Sequence, residues 1–204
     1  MASRLGFIHI DTGAMYRALT WLALEKGIPA GDHEALGRLA RRADIRFSRN
    51  ESGKQLTWCQ DTDVTEAIRT PLISNQVSKI AAVPEVREAL VERQRSMACC
   101  QDVVMDGRDI GTVVLPDAEC KIFLTASVEE RARRRLRELE RAGEPVSLEK
   151  LAREISERDE RDSRREASPL RRAKDAVLLD TTDLSFQQVV DRIVELAEKK
   201  KADS

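Results

Sequence analysis

Four short apolar runs punctuate the chain, at residues 7–10, 103–105, 121–124 and 176–179. Each is too short for a helix and ends in a polar or glycine-containing turn, the mark of a buried strand. A helical pattern follows each turn. Asp11-Thr12-Gly13 leads into a predicted helix over 14–26, closed by Gly27. Ser127 is suited to cap another, with Glu129 and Glu130 in its first turn, where carboxylates favour the helix dipole. Asp180-Thr181-Thr182-Asp183 opens a last helix over 185–199, rich in lysine at its end. Strands alternating with helices predict an α/β fold, a parallel sheet covered on both faces in three layers.

Two stretches break that alternation. Residues 45–60 read as a small hairpin turning at Asn50-Glu51-Ser52-Gly53. Residues 128–167 are almost all charged and helical, with an interruption at Gly143-Glu144-Pro145. Apolar side chains there are confined largely to one face, so this span is expected to stand off the core as a helical flap.

Composition narrows the function. The 204 residues fit one domain with a sizeable core. A net charge of −1 and 3% aromatic residues argue against a protein built to coat nucleic acid or stack on its bases. No apolar run is long enough to span a membrane, and Met1-Ala2-Ser3-Arg4 does not resemble a signal peptide. Cys59, Cys99, Cys100 and Cys120 form no Cys-x-x-Cys pair, which predicts reduced thiols and a cytoplasmic protein. The adjacent Cys99 and Cys100 read as packing residues or a chance pairing. His9 and His33 have no metal-ligand partner at a useful spacing and read as structural.

Three segments carry candidate chemistry. Asp11-Thr12-Gly13 sits where a strand feeds a helix, a position that offers free N–H groups to a phosphate. Arg17 lies one turn further on; the ordinary alternative is an N-cap beside a surface arginine. Val103-Val104-Met105-Asp106-Gly107-Arg108-Asp109 ends a buried strand in a carboxylate of the kind that attends magnesium in phosphate transfer. Its alternative is a salt-bridged tight turn. On the flap, Arg158, Arg161 and Arg165 recur at helical spacing with Asp162 among them. Such a row could clamp phosphates, or it could be a solvated face laced with ion pairs.

In order along the chain, these segments resemble the bacterial cytidylate kinase family. The matching pieces are Ile10-Asp11-Thr12-Gly13-Ala14-Met15-Tyr16-Arg17, Ile68-Arg69-Thr70, Val83-Pro84-Glu85-Val86-Arg87 and Asp106-Gly107-Arg108-Asp109-Ile110-Gly111-Thr112-Val113-Val114. Lys121-Ile122-Phe123-Leu124, Glu157-Arg158-Asp159, Ser168-Pro169-Leu170 and Asp180-Thr181-Thr182 continue them. The resemblance implies phosphoryl transfer from ATP and Mg²⁺ to CMP or dCMP by a monomer. It implies a sheet of the phosphate-loop kinase type, a monophosphate-binding lobe over 13–70 and a lid over 128–167. Ser78, Arg87 and Asp109 would read the cytosine. Arg17 and Arg108 would hold the acceptor phosphate with Thr12 and Arg165. Asp162 and Arg158 would complete the sugar and phosphate contacts, and Arg158, Arg161 and Asp106 would serve the transfer itself. An inactive protein that keeps the CMP pocket, or a kinase for another nucleoside monophosphate, remains open beside this reading.

One family feature is missing. No glycine opens a Gly-x-x-x-x-Gly-Lys-[Ser/Thr] loop, and the only glycine before a lysine, Gly53, is followed by Lys54-Gln55. The loop and the strand before it are therefore expected to be absent, leaving the sheet without its first, central strand. Either truncation or a natural short form would account for this. Truncation is favoured, because the arginines expected at the acceptor nucleotide are retained.

Overall fold

The computed structural model describes residues 1–141 and 146–202. Its elements run α1 (Ala2–Leu5), β1 (Ile8–Asp11), α2 (Thr12–Glu25), α3 (His33–Arg42), β2 (Ile45–Arg49), β3 (Gln55–Cys59), β4 (Thr62–Asp63), α4 (Pro71–Ile80) and α5 (Pro84–Ala98). Then follow β5 (Val103–Asp106), β6 (Ile122–Thr125), α6 (Val128–Arg141), α7 (Leu148–Arg164), β7 (Val177–Asp180) and α8 (Phe186–Ala202). The interruption expected at Gly143-Glu144-Pro145 lies outside the described residues.

The chain divides into two compact units. One comprises Phe7–Ile110 with Ala2. In it β1 and β5 pair in parallel, with Asp11 opposite Asp106. Each predicted strand ends one residue later than expected, so that β1, β5 and β7 end on Asp11, Asp106 and Asp180. The ladder runs on through the backbone of the last residue whether or not its side chain is apolar, and the apolar run therefore understates the strand. Helix α2 buries Met15, Ala18, Leu19, Leu22 and Ala23 among other residues, as befits a helix surrounded by structure. It meets α3, α4, α5 and the hairpin strands. The hairpin forms as predicted at β2 and β3, with Gly53 at φ +77° in its turn. The short strand β4, which the sequence did not predict, pairs with β3.

The other unit holds Gly111 onward with Met1 and Ser3–Gly6. Strands β6 and β7 pair in parallel. The predicted flap is a pair of helices, α6 and α7, with a small core of its own around Ala132, Leu139 and Leu151. Its base is tied to the end of β7. Arg134 donates to the Thr181 carbonyl oxygen, and Ser127 N donates to Thr182 Oγ1 at 3.0 Å. No helix among the described residues is long and apolar enough to cross a membrane.

The α/β class with parallel strands is as expected. The single three-layer sheet is not observed: among the described residues the parallel strands form two separate two-stranded sheets. Strand β5 pairs only with β1, and β6 only with β7.

Candidate active site

In the first unit, the C-terminal ends of β1 and β5 carry Asp11 and Asp106 side by side. The Asp11 side chain accepts from Ala14 N at 2.8 Å and caps α2. The helix thus begins at Thr12, two residues earlier than predicted. Asp11-Thr12-Gly13 is a cap and first turn rather than a loop. Thr12 is buried, and its hydroxyl donates to the Asp106 carbonyl oxygen at 2.7 Å. That bond locks the start of α2 to the end of β5. A Cβ on Gly107 would lie 2.4 Å from Thr12 Oγ1 and 2.7 Å from Ile110 Cδ1, so only glycine lets the chain pass here.

Arg17 reaches across to α4, donating to Ser74 Oγ at 2.9 Å and to the Ile68 carbonyl oxygen at 3.3 Å. Ser78 is half-buried one turn beyond Ser74 on the same helix. Arg87, in the first turn of α5, is 4% exposed and donates to the Ala81 carbonyl oxygen at 3.1 Å. Its other terminal nitrogen forms an ion pair with Asp109, itself 5% exposed, in a direct hydrogen bond. The guanidinium carbon stands 5.4 Å from the centroid of the Tyr16 ring, a cation–π contact. Arg87 Nε is buried with no hydrogen-bond partner. Of the predicted residues of this unit, Arg87 and Asp109 touch directly. Arg17 bonds to Ser74, one turn before Ser78 on α4, and Thr12 binds the backbone of Asp106. Arg108 and Asp106 are exposed.

The Asp106 side chain has a partner that the sequence reading did not assign. His9 Nε2 and Asp106 Oδ1 are 2.6 Å apart, and His9 Nδ1 lies 3.0 Å from Gln55 Oε1. The Asp106 hydrogen bond raises the His9 pKa above its ordinary value of 6.5, against the lowering effect of burial. A raised histidine pKa stabilises the fold fully below 6.5, and that contribution is lost as pH rises through the raised value. The pair is partly exposed, so its worth is about 0.2–1 kcal/mol. Urea midpoints measured against pH are expected to decline across this window in the protein and to lose that decline in His9→Gln.

The second unit holds the flap residues. Asp162 is 6% exposed and attracts two guanidiniums, Arg158 Nε at 3.8 Å and Arg165 NH1 at 3.9 Å. Arg165 Nε also donates to the Ser168 carbonyl oxygen at 2.6 Å, and Leu170 N to the Asp162 carbonyl oxygen at 2.8 Å. These bonds fold the chain after α7 back onto its last turn. Arg161 does not join the cluster. It is exposed, and its Nε bonds to the Glu157 carbonyl of its own helix at 3.2 Å. The expected row of three is two arginines on one carboxylate and a third on the surface. Arg131, which the sequence reading passed over, ties α6 to α7 through Asp159 at 2.6 Å.

Comparison with known proteins decides the relationship. The cytidylate kinase family model matches residues 1–199. A cytidylate kinase of Carboxydothermus hydrogenoformans is 50% identical over 200 residues, 98% of this chain and 90% of that protein. One of Streptococcus pneumoniae (strain Hungary19A-6) is 52% identical over the same shares. The chain belongs to the cytidylate kinase family.

For a cytidylate kinase family member, the sequence reading missed four supporting side chains: His9, Tyr16, Ser74 and Arg131. His9 had a signal. It sits opposite Val104 across the parallel pair, and Asp106 is two residues further along that strand, so both side chains share a face. The others are reached only through tertiary packing. A shallow cavity of about 260 Å³ on the hairpin, lined by Arg46, Phe47, Ser48, Trp58 and Asp61, contains none of the predicted residues. No group of three or more potential metal ligands occurs among the described residues. Asp106, bonded to His9, is 63% exposed, which suits a carboxylate that would meet magnesium through water beside substrate phosphates.

Proposed function

We infer that the protein is a cytidylate kinase, transferring the terminal phosphoryl group of ATP to CMP or dCMP to give the diphosphate and ADP. The observation that carries this reading is the family relationship at about 50% identity over 98% of the chain. The chemistry of the first unit supports it. Cytosine presents an exocyclic amine that a carboxylate accepts from, and ring acceptors that a guanidinium donates to. Asp109 and Arg87, with its unused Nε, are such a pair. The two are paired with each other, so base binding would draw the Asp109 carboxylate toward the amine. Ser78 lies on the helix that also receives Arg17. Arg17 and Arg108, aided by Thr12 at the N-terminus of α2, would take the acceptor phosphate. Arg165, Asp162 and Arg158 would approach the sugar and phosphates from the lid over 128–167, and the lobe over 13–70 would carry the monophosphate side. Of the residues assigned to transfer, Arg161 is the weakest, being turned onto its own helix.

Magnesium, bound with ATP, would supply positive charge to offset that of the transferring phosphate. Asp106 would hold that ion's water, and His9 would orient Asp106. The transition state needs alignment and charge neutralisation rather than a covalent partner, which suits a site rich in guanidiniums. Donor phosphates in such kinases rest on a glycine-rich loop and its lysine, and these 204 residues contain no such motif. Reading the DNA upstream of the Met1 codon, in frame, tests whether such a loop is encoded there.

A coupled assay with ATP, Mg²⁺ and a panel of monophosphates tests the activity. Turnover on CMP or dCMP is expected. Binding of CMP without turnover would make this a nucleotide-binding protein only, and preference for UMP or AMP would make it a different kinase.

A further inference from the structure

Cys99 closes α5 as its C-cap, and Cys100 follows in the turn toward β5. Both are exposed, so packing, one of the two readings the sequence allowed, does not account for them. Consecutive side chains on a helix diverge by about 100°, and adjacent thiols on a helix face apart. Here the helix ends between them, and the two sulfurs approach to 3.1 Å. Cys99 Sγ also lies 3.2 Å from the Ser96 carbonyl oxygen, a contact that holds it toward its neighbour. The other cysteines contrast with this pair. Cys59 is buried, and burial pushes its thiol up to about 11. Cys120 is half-buried and raised by the same cause. Thiol reactivity follows access and thiolate character, so the adjacent pair is the accessible one.

We propose that Cys99 and Cys100 form a vicinal dithiol modification site, oxidised reversibly to an internal disulfide by small-molecule disulfides. The Cys99 thiolate attacks one sulfur of the small disulfide. That S–S bond breaks, and one small thiolate leaves and takes up a proton. Cys100 gives its proton to solvent and attacks the Cys99 sulfur of the mixed disulfide, expelling the second small thiolate. The protein loses two electrons and two protons, and the small disulfide becomes two thiols, so no other oxidant is required. The sulfur of Cys99 beside it pushes the Cys100 thiol above its ordinary range, in keeping with Cys99 as the first attacker. The closeness of the sulfurs makes the second step intramolecular, with the advantage that proximity confers. Consecutive Cα atoms are roughly 3.8 Å apart, below the roughly 4.4–6.8 Å of an ordinary disulfide. The oxidised form is therefore strained and returns to the dithiol when a reductant is supplied.

The full chain, incubated with excess glutathione disulfide, quenched in acid and mapped by peptide mass, tests this. The peptide holding Cys99 and Cys100 is expected to lose two hydrogens and retain no glutathione. Dithiothreitol should reverse the change, and Cys59 should stay unmodified. Cys100→Ser should stop at the first step, with one glutathione kept on Cys99. An untouched pair, a stable glutathione adduct on the unaltered protein, a disulfide between two copies, or a Cys100→Ser protein that takes up no glutathione would each overturn the proposal.

Discussion

Replacing Arg87 with leucine is expected to destabilise the protein by about 3–5 kcal/mol, because it strands the Asp109 carboxylate away from water without its counter-charge. Both side chains are nearly closed to solvent, at 5% and 6% exposure. A domain of this size is stable by only about 5–15 kcal/mol, so the loss is a large fraction of the whole. Asp109→Leu should cost a similar amount, through the guanidinium left behind over the Tyr16 ring. The double replacement should recover most of the loss, since two apolar side chains need no mutual neutralisation. Urea denaturation of the three variants measures this. A single-variant loss below about 1 kcal/mol would mean that water reaches the pair.

The second large effect concerns rate. Arg158 and Arg165 share the Asp162 carboxylate at 3.8 and 3.9 Å, long for tight ion pairs. A guanidinium that already faces an anionic oxygen is suited to exchange it for those of an incoming phosphate. A guanidinium supplied to a phosphoryl transition state is worth roughly 10³–10⁵ in turnover. Arg158→Ala and Arg165→Ala are expected to lower kcat by about 10³-fold or more at the low end of that range. The unfolding midpoint should move little for Arg158, the more exposed of the two. Arg161→Ala should change kcat far less, since its side chain is bonded to its own helix. Steady-state kinetics on CMP compares the three. Equal losses at Arg158 and Arg161 would remove the distinction drawn between them.

Much of this architecture was legible before any coordinates. The four strands, the hairpin and the charged helical pair follow from periodicity, because burial on a sheet and on one helix face leaves different spacings. Strand ends were less legible. Asp106 belongs to β5 by backbone pairing, which no side-chain pattern records. The start of α2 was misjudged for a related reason. Asp11 caps it directly, and Thr12 and Gly13 are already helical, although both residue types are common in loops.

Legibility at the site was uneven. Arg87 and Asp109 are 22 residues apart; family resemblance implied a shared role in reading the base, but nothing in local spacing revealed their contact. Arg158, Asp162 and Arg165 were legible, because one helix and its cap carry them. Arg161 misled for the same reason, since a shared face does not fix where a long side chain turns. The His9–Asp106 contact was available from strand register once the parallel pairing was known. The adjacency of Cys99 and Cys100 was plain, but the exposure and convergence of their sulfurs depend on where α5 ends.

Everything functional rests on Asp109 and Arg87 opening to a cytosine and not to a uracil. Titrating the protein with CMP and then with UMP by calorimetry tests that most directly. Cytosine offers its amine to the carboxylate where uracil presents an oxygen, and a hydrogen bond to a charged group is worth about 1.5–3 kcal/mol. The account predicts CMP binding tighter than UMP by roughly 10- to 150-fold. Asp109→Ala should erase most of that preference. Equal affinity for the two nucleotides, or a preference that survives Asp109→Ala, would contradict it.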